Sequence, residues 1–275
     1  MRDLIDDESL GELFDISGMT ELREHPRGAG PETPPGQGGL FEDACPPPPA
    51  LIAPVPPELR GLSLIAYNAA VLAALSELPA CASIPRFCRK VLSAAAAVKT
   101  AAGAFAGEEA RLAADRAAND RGDEDVRAVL EAAAKVTREI DRLRGLLRFC
   151  PDKAGIYTAR CAPDHFVLPA LAGHFELRFG GTPWAVIDER RRLALVRFPG
   201  EETRLAGGAA ADPAAFTETA ASPGRTIPAE EPARDAWEEL WRTYHRSVNN
   251  DARKNPKLQR QFMPERYWKY LTEKL

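Results

Sequence analysis

GIYTARCAPDHFVLPALAGHFELRFGGTPWAVIDERRRLALVRF, residues 155–198, changes its hydrophobic period along its length, and its reading sets the fold class. GIYTARC alternates as a half-buried strand does. APDHFVLPALAGHFELRF moves to helical spacing, with Asp164 placed to cap the helix. WAVID and RLALVRF return to strand character on either side of the short turn ERR. The expectation is a β-α-β-β unit: a small, largely antiparallel sheet with helices on one face, in a mainly helical α+β chain.

N-terminal to this unit the pattern is helical. In LSLIAYNAAVLAALSEL, Leu64, Tyr67, Val71, Leu75 and Leu78 form a stripe with helical spacing. RFCRKVLSAAAAVKTAAGAFA predicts a second helix beginning after Pro85, its alanines favouring close helix–helix approach. RGDEDVRAVLEAAAKVTREIDRLRGLLRF predicts a long amphipathic helix with Val126, Val129, Leu130, Ala133, Val136, Ile140, Leu143 and Leu147 inward. Asp123 is its expected N-cap, and the acids at 123–125 suit the positive end of the helix dipole. Arg138, Arg142, Arg144 and Arg148 fall mostly outside the apolar stripe.

Beyond the unit, Trp237, Leu240, Trp241, Tyr244 and Val248 recur at helical spacing and predict a packed face. Asn255-Pro256 ends that helix and can open the next, with Asn255 as N-cap and Pro256 at N1. Pro264 opens a last helix with Tyr267, Trp268, Leu271 and Leu275 as its apolar edge and Glu265–Lys269 as an i,i+4 pair. Four regions follow. Residues 1–57 are an acidic Pro/Gly-rich arm, read as disordered apart from a weak helical signal in ESLGELFDI. Residues 58–206 are the helical plus β-α-β-β core, 207–233 an Ala/Pro-rich linker, and 234–275 a basic helical segment packing on the core.

The chain of 275 residues has a net charge of −4, but the charge is unevenly spread. Residues 1–60 hold 12 acids and 4 bases, whereas residues 233–275 hold 10 bases and 6 acids. No apolar run reaches the roughly 20 residues of a bilayer span, and the acidic start lacks the basic, apolar pattern of a signal peptide. The expectation is a cytoplasmic protein without a membrane partner. Cys45, Cys81, Cys88, Cys150 and Cys161 show no CxxC spacing, so buried free thiols are expected, with no metal and no cofactor. GxxxxGK[ST], GxSxG and HExxH are missing from the sequence. GQGG falls in the proline-rich arm rather than between a strand and a helix.

Catalytic candidates are therefore few. Asp164 and His165 sit together, and Asp188 at the hairpin is most simply a turn residue. His174, nine residues from His165, would face the other side of a shared helix and read as core. The chemistry of the C-terminal segment is richer. Arg253, Lys254, Lys257, Arg260, Arg266 and Lys269 supply charge, and Asn255, Gln259 and Gln261 supply amides. With Arg142, Arg144 and Arg148 they could hold a phosphate backbone, dock a protein, or simply be solvated.

LWRTYHRSVNNDARKNPKLQRQFMPERYWKYLTE resembles the C-terminal signature of a bacterial family described as DNA-metabolism or DNA-repair proteins. REIDRLRGLLRF, IYTARCAPDHFVLPALAGHFELRF and PWAVIDERRRLALVR resemble it too, and RFCRKVLSAA more loosely, so the likeness spans roughly residues 60–206 and 235–275. The resemblance implies association with a separate radical-SAM protein, and the same domain occurs fused to uracil-DNA-glycosylase-like proteins. It implies DNA as a partner but carries over no catalytic residues. The chain itself has no radical-SAM cysteine motif, and its proline-rich start departs from the β-strand opening of that family. Three expectations result: a DNA-repair accessory protein binding nucleic acid beside a radical-SAM partner, a docking scaffold for that partner without DNA contact, or a nucleic-acid-modifying enzyme using Asp164, His165 and Asp188.

Overall fold

The computed structural model describes residues 55–77, 82–102, 107–151, 155–207, 234–250 and 253–274. The acidic arm, apart from 55–57, and the linker, apart from Gly207, lie outside the described residues, as do Leu78 and Leu275.

Helices α1 (Glu58–Leu62), α2 (Leu64–Ala74), α3 (Ile84–Ala102), α4 (Gly107–Ala118) and α5 (Glu124–Leu146) precede the sheet. Ser63 caps α2, its hydroxyl accepting the Ala66 N–H, and reaches Asp115 of α4 at 2.5 Å. The expected stripe on α2 is instead buried on every side from Ala66 to Ala74. This helix is apolar all round because α3, α4 and α5 pack about it. The alanine-rich helix expected after Pro85 is α3, which begins at Ile84, and α4, which lies beyond that stretch, packs along it. Ala95 of α3 and Ala110, Ala114 and Ala118 of α4 are buried, and such small side chains let two helix backbones come close.

Asp123 caps α5 as its sequence predicts, its carboxylate accepting the Val126 N–H at 3.0 Å. Val126, Val129, Ala133, Val136, Ile140, Leu143 and Leu147 are buried, and Leu130 packs at the margin of the core.

The sheet contains β1 (Cys150–Pro151), β2 (Tyr157–Cys161), β3 (Trp184–Asp188), β4 (Leu193–Arg197) and β5 (Arg204–Gly207), in that spatial order. Helix α6 (Leu168–Phe179) crosses from β2 to β3, which pair in parallel with Thr158 opposite Ala185, and all other pairings are antiparallel. This is the expected β-α-β-β unit, extended by the short edge strands β1 and β5 that the sequence pattern did not reveal. Alternation divides β3 between two faces. Trp184 and Val186 join the main core with the helices, while Ala185 and Ile187 join a smaller cluster with Ala194, Val196 and Phe198. Under α6, Phe149, Phe175 and Trp184 stack at tilted angles, with centroids 4.9 and 5.9 Å apart.

Asp164 does not cap α6; Val167 occupies that position. The amides of Asp164, His165 and Phe166 bond to Glu139 and Leu75 instead, and Pro169 then opens the helix at a position that needs no N–H donor. His165 thus precedes the helix, and the angular argument separating it from His174 does not apply. His174 is half-buried with its ring edge-on to Phe175, and burial, aided by Arg144 and Arg178, holds its pKa below the usual histidine value.

At the C-terminus, α7 (Arg234–Val248) and α8 (Pro256–Phe262) lead to a 3₁₀ turn at Glu265–Tyr270. Asn255 caps α8, accepting the Leu258 N–H at 3.0 Å, and Pro256 occupies its first turn as expected. The side chain of Trp237 lies outside the described residues, and the rest of the face expected to pack on α7, Leu240, Trp241, Tyr244 and Val248, is exposed. The helix attaches by one edge, with Arg242 Nε donating to Thr272 O and Trp241 Nε1 to Glu273. Packing on the core falls to Tyr267 and Leu271, both buried. The expected Glu265–Lys269 pair is absent because a 3₁₀ turn brings i and i+3 together. Glu265 pairs with Arg260 at 2.7 Å and Lys269 with Glu189 at 3.4 Å.

Candidate nucleic-acid interface

The segment Pro163–Phe166 is fixed from several directions. From α5, Glu139 accepts the amides of Asp164 at 2.9 Å and His165 at 2.8 Å. From the end of α2, Leu75 O accepts the Phe166 N–H. From the β3–β4 turn, Arg190 and Arg191 donate to the carbonyls of Pro163 and Asp164. The C-terminal turn adds Arg266, which pairs with Asp164 and, at 2.8 Å, with Glu139. Tyr267 O–H completes the set by donating to Glu139 at 2.7 Å.

Glu139 is therefore a buried carboxylate, 2 % exposed, with donors on both oxygens. This satisfaction is what makes burying it tolerable. Burial, reinforced by the bond to Glu139, raises the Tyr267 phenol far above its usual pKa, so it acts as a fixed donor. The Arg266 guanidinium lies over the Tyr267 ring, 4.7 Å from its centroid. Burial opposes its charge, but Tyr267, Asp164 and Glu139 more than offset this and raise its pKa.

Beside this junction lies a cleft of about 180 Å³ lined by Lys135, Arg138, Glu139, Arg142, Asp164, His165 and Arg266. Lys135, Arg138 and Arg142 are at i, i+3 and i+7 of α5 and so share one face. Arg142 Nη2 donates to Gln261 O at 3.1 Å, joining the α5 ridge to α8. His165 Nδ1 accepts the Glu77 N–H at 3.5 Å, which leaves the proton of a neutral ring on Nε2. Burial holds the His165 pKa below its usual value, although Glu139, Asp164 and Glu77 pull the other way.

A second network flanks the first. Asp188 is fully buried, accepts the amides of Arg190 and Arg191, and pairs with Arg191 Nη1 at 2.6 Å. Burial pushes the Asp188 carboxyl upward against the pull of Arg191, and Glu77 binds the same guanidinium. Asp188 thus holds the turn, as in the plain sequence reading, through the amides of Arg190 and Arg191. Of the catalytic candidates, Asp164 and His165 line the cleft and Asp188 does not.

The expected nucleic-acid residues divide in the same way. Arg142 and Arg266 reach the cleft. Arg148 is held by Glu273 at 2.5 Å and lies over Trp241, a structural role. Arg144 sits near Asp141, 3.9 Å away, and faces the His174 side rather than the cleft. Arg260 and Lys269 are paired with carboxylates, and Asn255 is occupied as a cap. Arg253, Lys254, Lys257, Gln259 and Gln261 are exposed. Among the described residues, Arg253, Lys257, Lys135 and Arg138 have no acidic partner within salt-bridge distance.

Sequence reading missed Glu139, Lys135 and Glu77. Glu139 left one signal: it lies three residues after Val136 and four before Leu143, inside the buried sector of α5. Of the cysteines, Cys88 and Cys161 are buried and free, and burial raises the Cys88 thiol to about 11. Cys150 is half-buried, and Cys45 and Cys81 lie outside the described residues. No group of acids, histidines and cysteines among the described residues could hold a metal ion. No described helix is long and apolar enough to cross a membrane.

Neither the curated proteins nor the solved structures include a match to this chain. Residues 106–273 match a family described as a domain of unknown function, DUF4130, and cover α4, α5, the whole sheet, the Glu139 junction and the cationic cleft. The chain belongs to that family.

Proposed function

We propose that the protein is a DNA-repair or DNA-metabolism accessory protein that binds nucleic acid and acts beside a radical-SAM partner. The association with repair and with that partner rests on the family resemblance of the C-terminal signature. The nucleic-acid reading is supported by one observation above all. Lys135 and Arg138 on α5, Lys257 on α8 and Arg253 just before it have no acidic partner among the described residues, and the Arg142–Gln261 bond joins α5 to α8. Exposed cations that face no carboxylate release the most counterions when they meet a phosphate backbone.

Four such contacts on duplex DNA predict that log K falls against log salt with a slope of about −3.6. Changing Arg253, Lys257 and Arg260 together to Glu abolishes the binding. Titration of labelled single- and double-stranded DNA across a salt series tests this. Undetectable binding, or binding insensitive to salt, refutes it. Co-purification of the radical-SAM partner with and without nuclease treatment then separates a DNA-bridged association from direct docking.

A further inference from the structure

We propose that the cleft between α5 and the Asp164–His165 segment is a pocket for the terminal phosphomonoester of a nucleic-acid strand. This rests on the nucleic-acid reading above and goes beyond it by giving the cleft a ligand different from the internal backbone.

Size is the first argument. At about 180 Å³ the cleft is smaller than the roughly 300–1,000 Å³ of sites that enclose drug-sized ligands. It has room for a phosphate and part of its sugar, and not for a base held along its whole length. Charge is the second. Lys135, Arg138, Arg142 and Arg266 bring four positive charges, and Glu139 and Asp164 bring two negative ones. The remaining two positive charges match a monoester, which carries about −1.5 to −2 at neutral pH, better than an internal diester with −1.

Organisation is the third. Arg266 is held by Asp164, Glu139 and the Tyr267 ring before any ligand arrives, so little side-chain entropy is lost when an anion binds. The carboxylates facing the cleft are already engaged: Asp164 by Arg266, and Glu139 by two amides, Arg266 and Tyr267. His165 adds an imidazole whose Nδ1 is occupied by the Glu77 amide, leaving Nε2–H as a neutral donor. Lys135 and Arg138 stand exposed at the rim, where they can fold onto a bound phosphate.

The test uses the full chain and one single-stranded oligonucleotide in three forms: 5′-phosphorylated, 3′-phosphorylated, and hydroxyl at both ends. One phosphorylated form is expected to bind about tenfold more tightly than the hydroxyl form, as a charge-assisted contact of this kind supplies. Which form wins tells the strand polarity. Inorganic phosphate is expected to lower the affinity of that form toward the hydroxyl value. In the double variant Lys135→Gln/Arg138→Gln the preference falls to about one, whereas Arg253→Gln/Lys257→Gln weakens all three forms and keeps it. Equal wild-type affinities for the three forms overturn the pocket and leave the nucleic-acid reading standing. Failure of every form to bind overturns both. A preference that survives Lys135→Gln/Arg138→Gln, or resists phosphate, places the end-recognition elsewhere and also overturns the pocket.

Discussion

Replacing Glu139 by glutamine keeps the side-chain shape and removes the charge at the point where α5, the Asp164–His165 segment and the C-terminal turn meet. The native carboxylate accepts Asp164 N at 2.9 Å, His165 N at 2.8 Å, Arg266 Nη2 at 2.8 Å and Tyr267 O–H at 2.7 Å. A glutamine offers one acceptor oxygen and turns an N–H₂ toward a donor. If its oxygen takes the Oε1 place, the His165 amide faces an N–H₂ group and is left unsatisfied. If it takes the Oε2 place, Asp164, Arg266 and Tyr267 lose their acceptor. The first arrangement is the cheaper. One unsatisfied buried amide costs about 1–3 kcal/mol. Weakening of the Arg266 bond adds about 1 kcal/mol, because Arg266 is 38 % exposed at its side chain and water screens its charge. The expected loss is about 3 kcal/mol. With a urea m-value of about 2 kcal/mol/M, the unfolding midpoint drops by roughly 1.5 M. The assay is urea unfolding followed by far-UV circular dichroism and by tryptophan fluorescence, with hydrogen exchange at His165 and Tyr267 read in the same variant. The expected exchange protection falls at both. A midpoint within about 0.3 M of the wild type, with protection retained, refutes the idea that Glu139 is the clamp.

Other consequences follow from the same structure. Glu273, held below its usual pKa of 4.5 by its bond to Arg148 despite burial, contributes stability present above that value and lost as pH falls through the lower folded pKa. Urea midpoints measured from pH 6 to 3 should therefore fall less steeply in Glu273→Gln, which begins less stable at pH 6; parallel curves would refute the assignment. Phe175→Ala removes a fully buried ring between Phe149 and Trp184 and is expected to cost about 3–5 kcal/mol, read by denaturant unfolding. Asn255→Ala removes the cap of a seven-residue helix at a cost of about 1 kcal/mol, seen as faster exchange at the Leu258 amide with the global midpoint unchanged. Arg191→Ala leaves the buried Asp188 carboxylate without its cation and is expected to destabilise by about 3 kcal/mol; Asp188→Asn in the same chain should recover part of that loss.

Much of the fold could be read locally. The Asp123 and Asn255 caps, the inward face of α5 and the β-α-β-β unit all depend on residues within a few positions of one another. Where sequence reading failed, the deciding contact was distant. Asp164 has the chemistry of a cap, but its carboxylate is claimed by Arg266, 102 positions away, and its amide by Glu139, 25 positions away. The stripe on α7 has the spacing of a packed face, but spacing cannot say which way a helix is rolled. Two-residue β1 and four-residue β5 are too short to show alternation.

The candidate site shows the same division. The sequence by itself determined that basic residues gather at the C-terminus and along α5, because composition and helical period are local properties of the chain. Only the tertiary structure decided which of them have no acidic partner. Arg148, Arg260 and Lys269 are neutralised by Glu273, Glu265 and Glu189, whereas Lys135 and Arg138 meet no acid among the described residues, and no periodicity distinguishes the two groups. The cleft exists only because Arg266 and Tyr267 return across 127 and 128 positions to a carboxylate on α5. A buried charge must find its donors wherever the fold places them, and that requirement fixed the site.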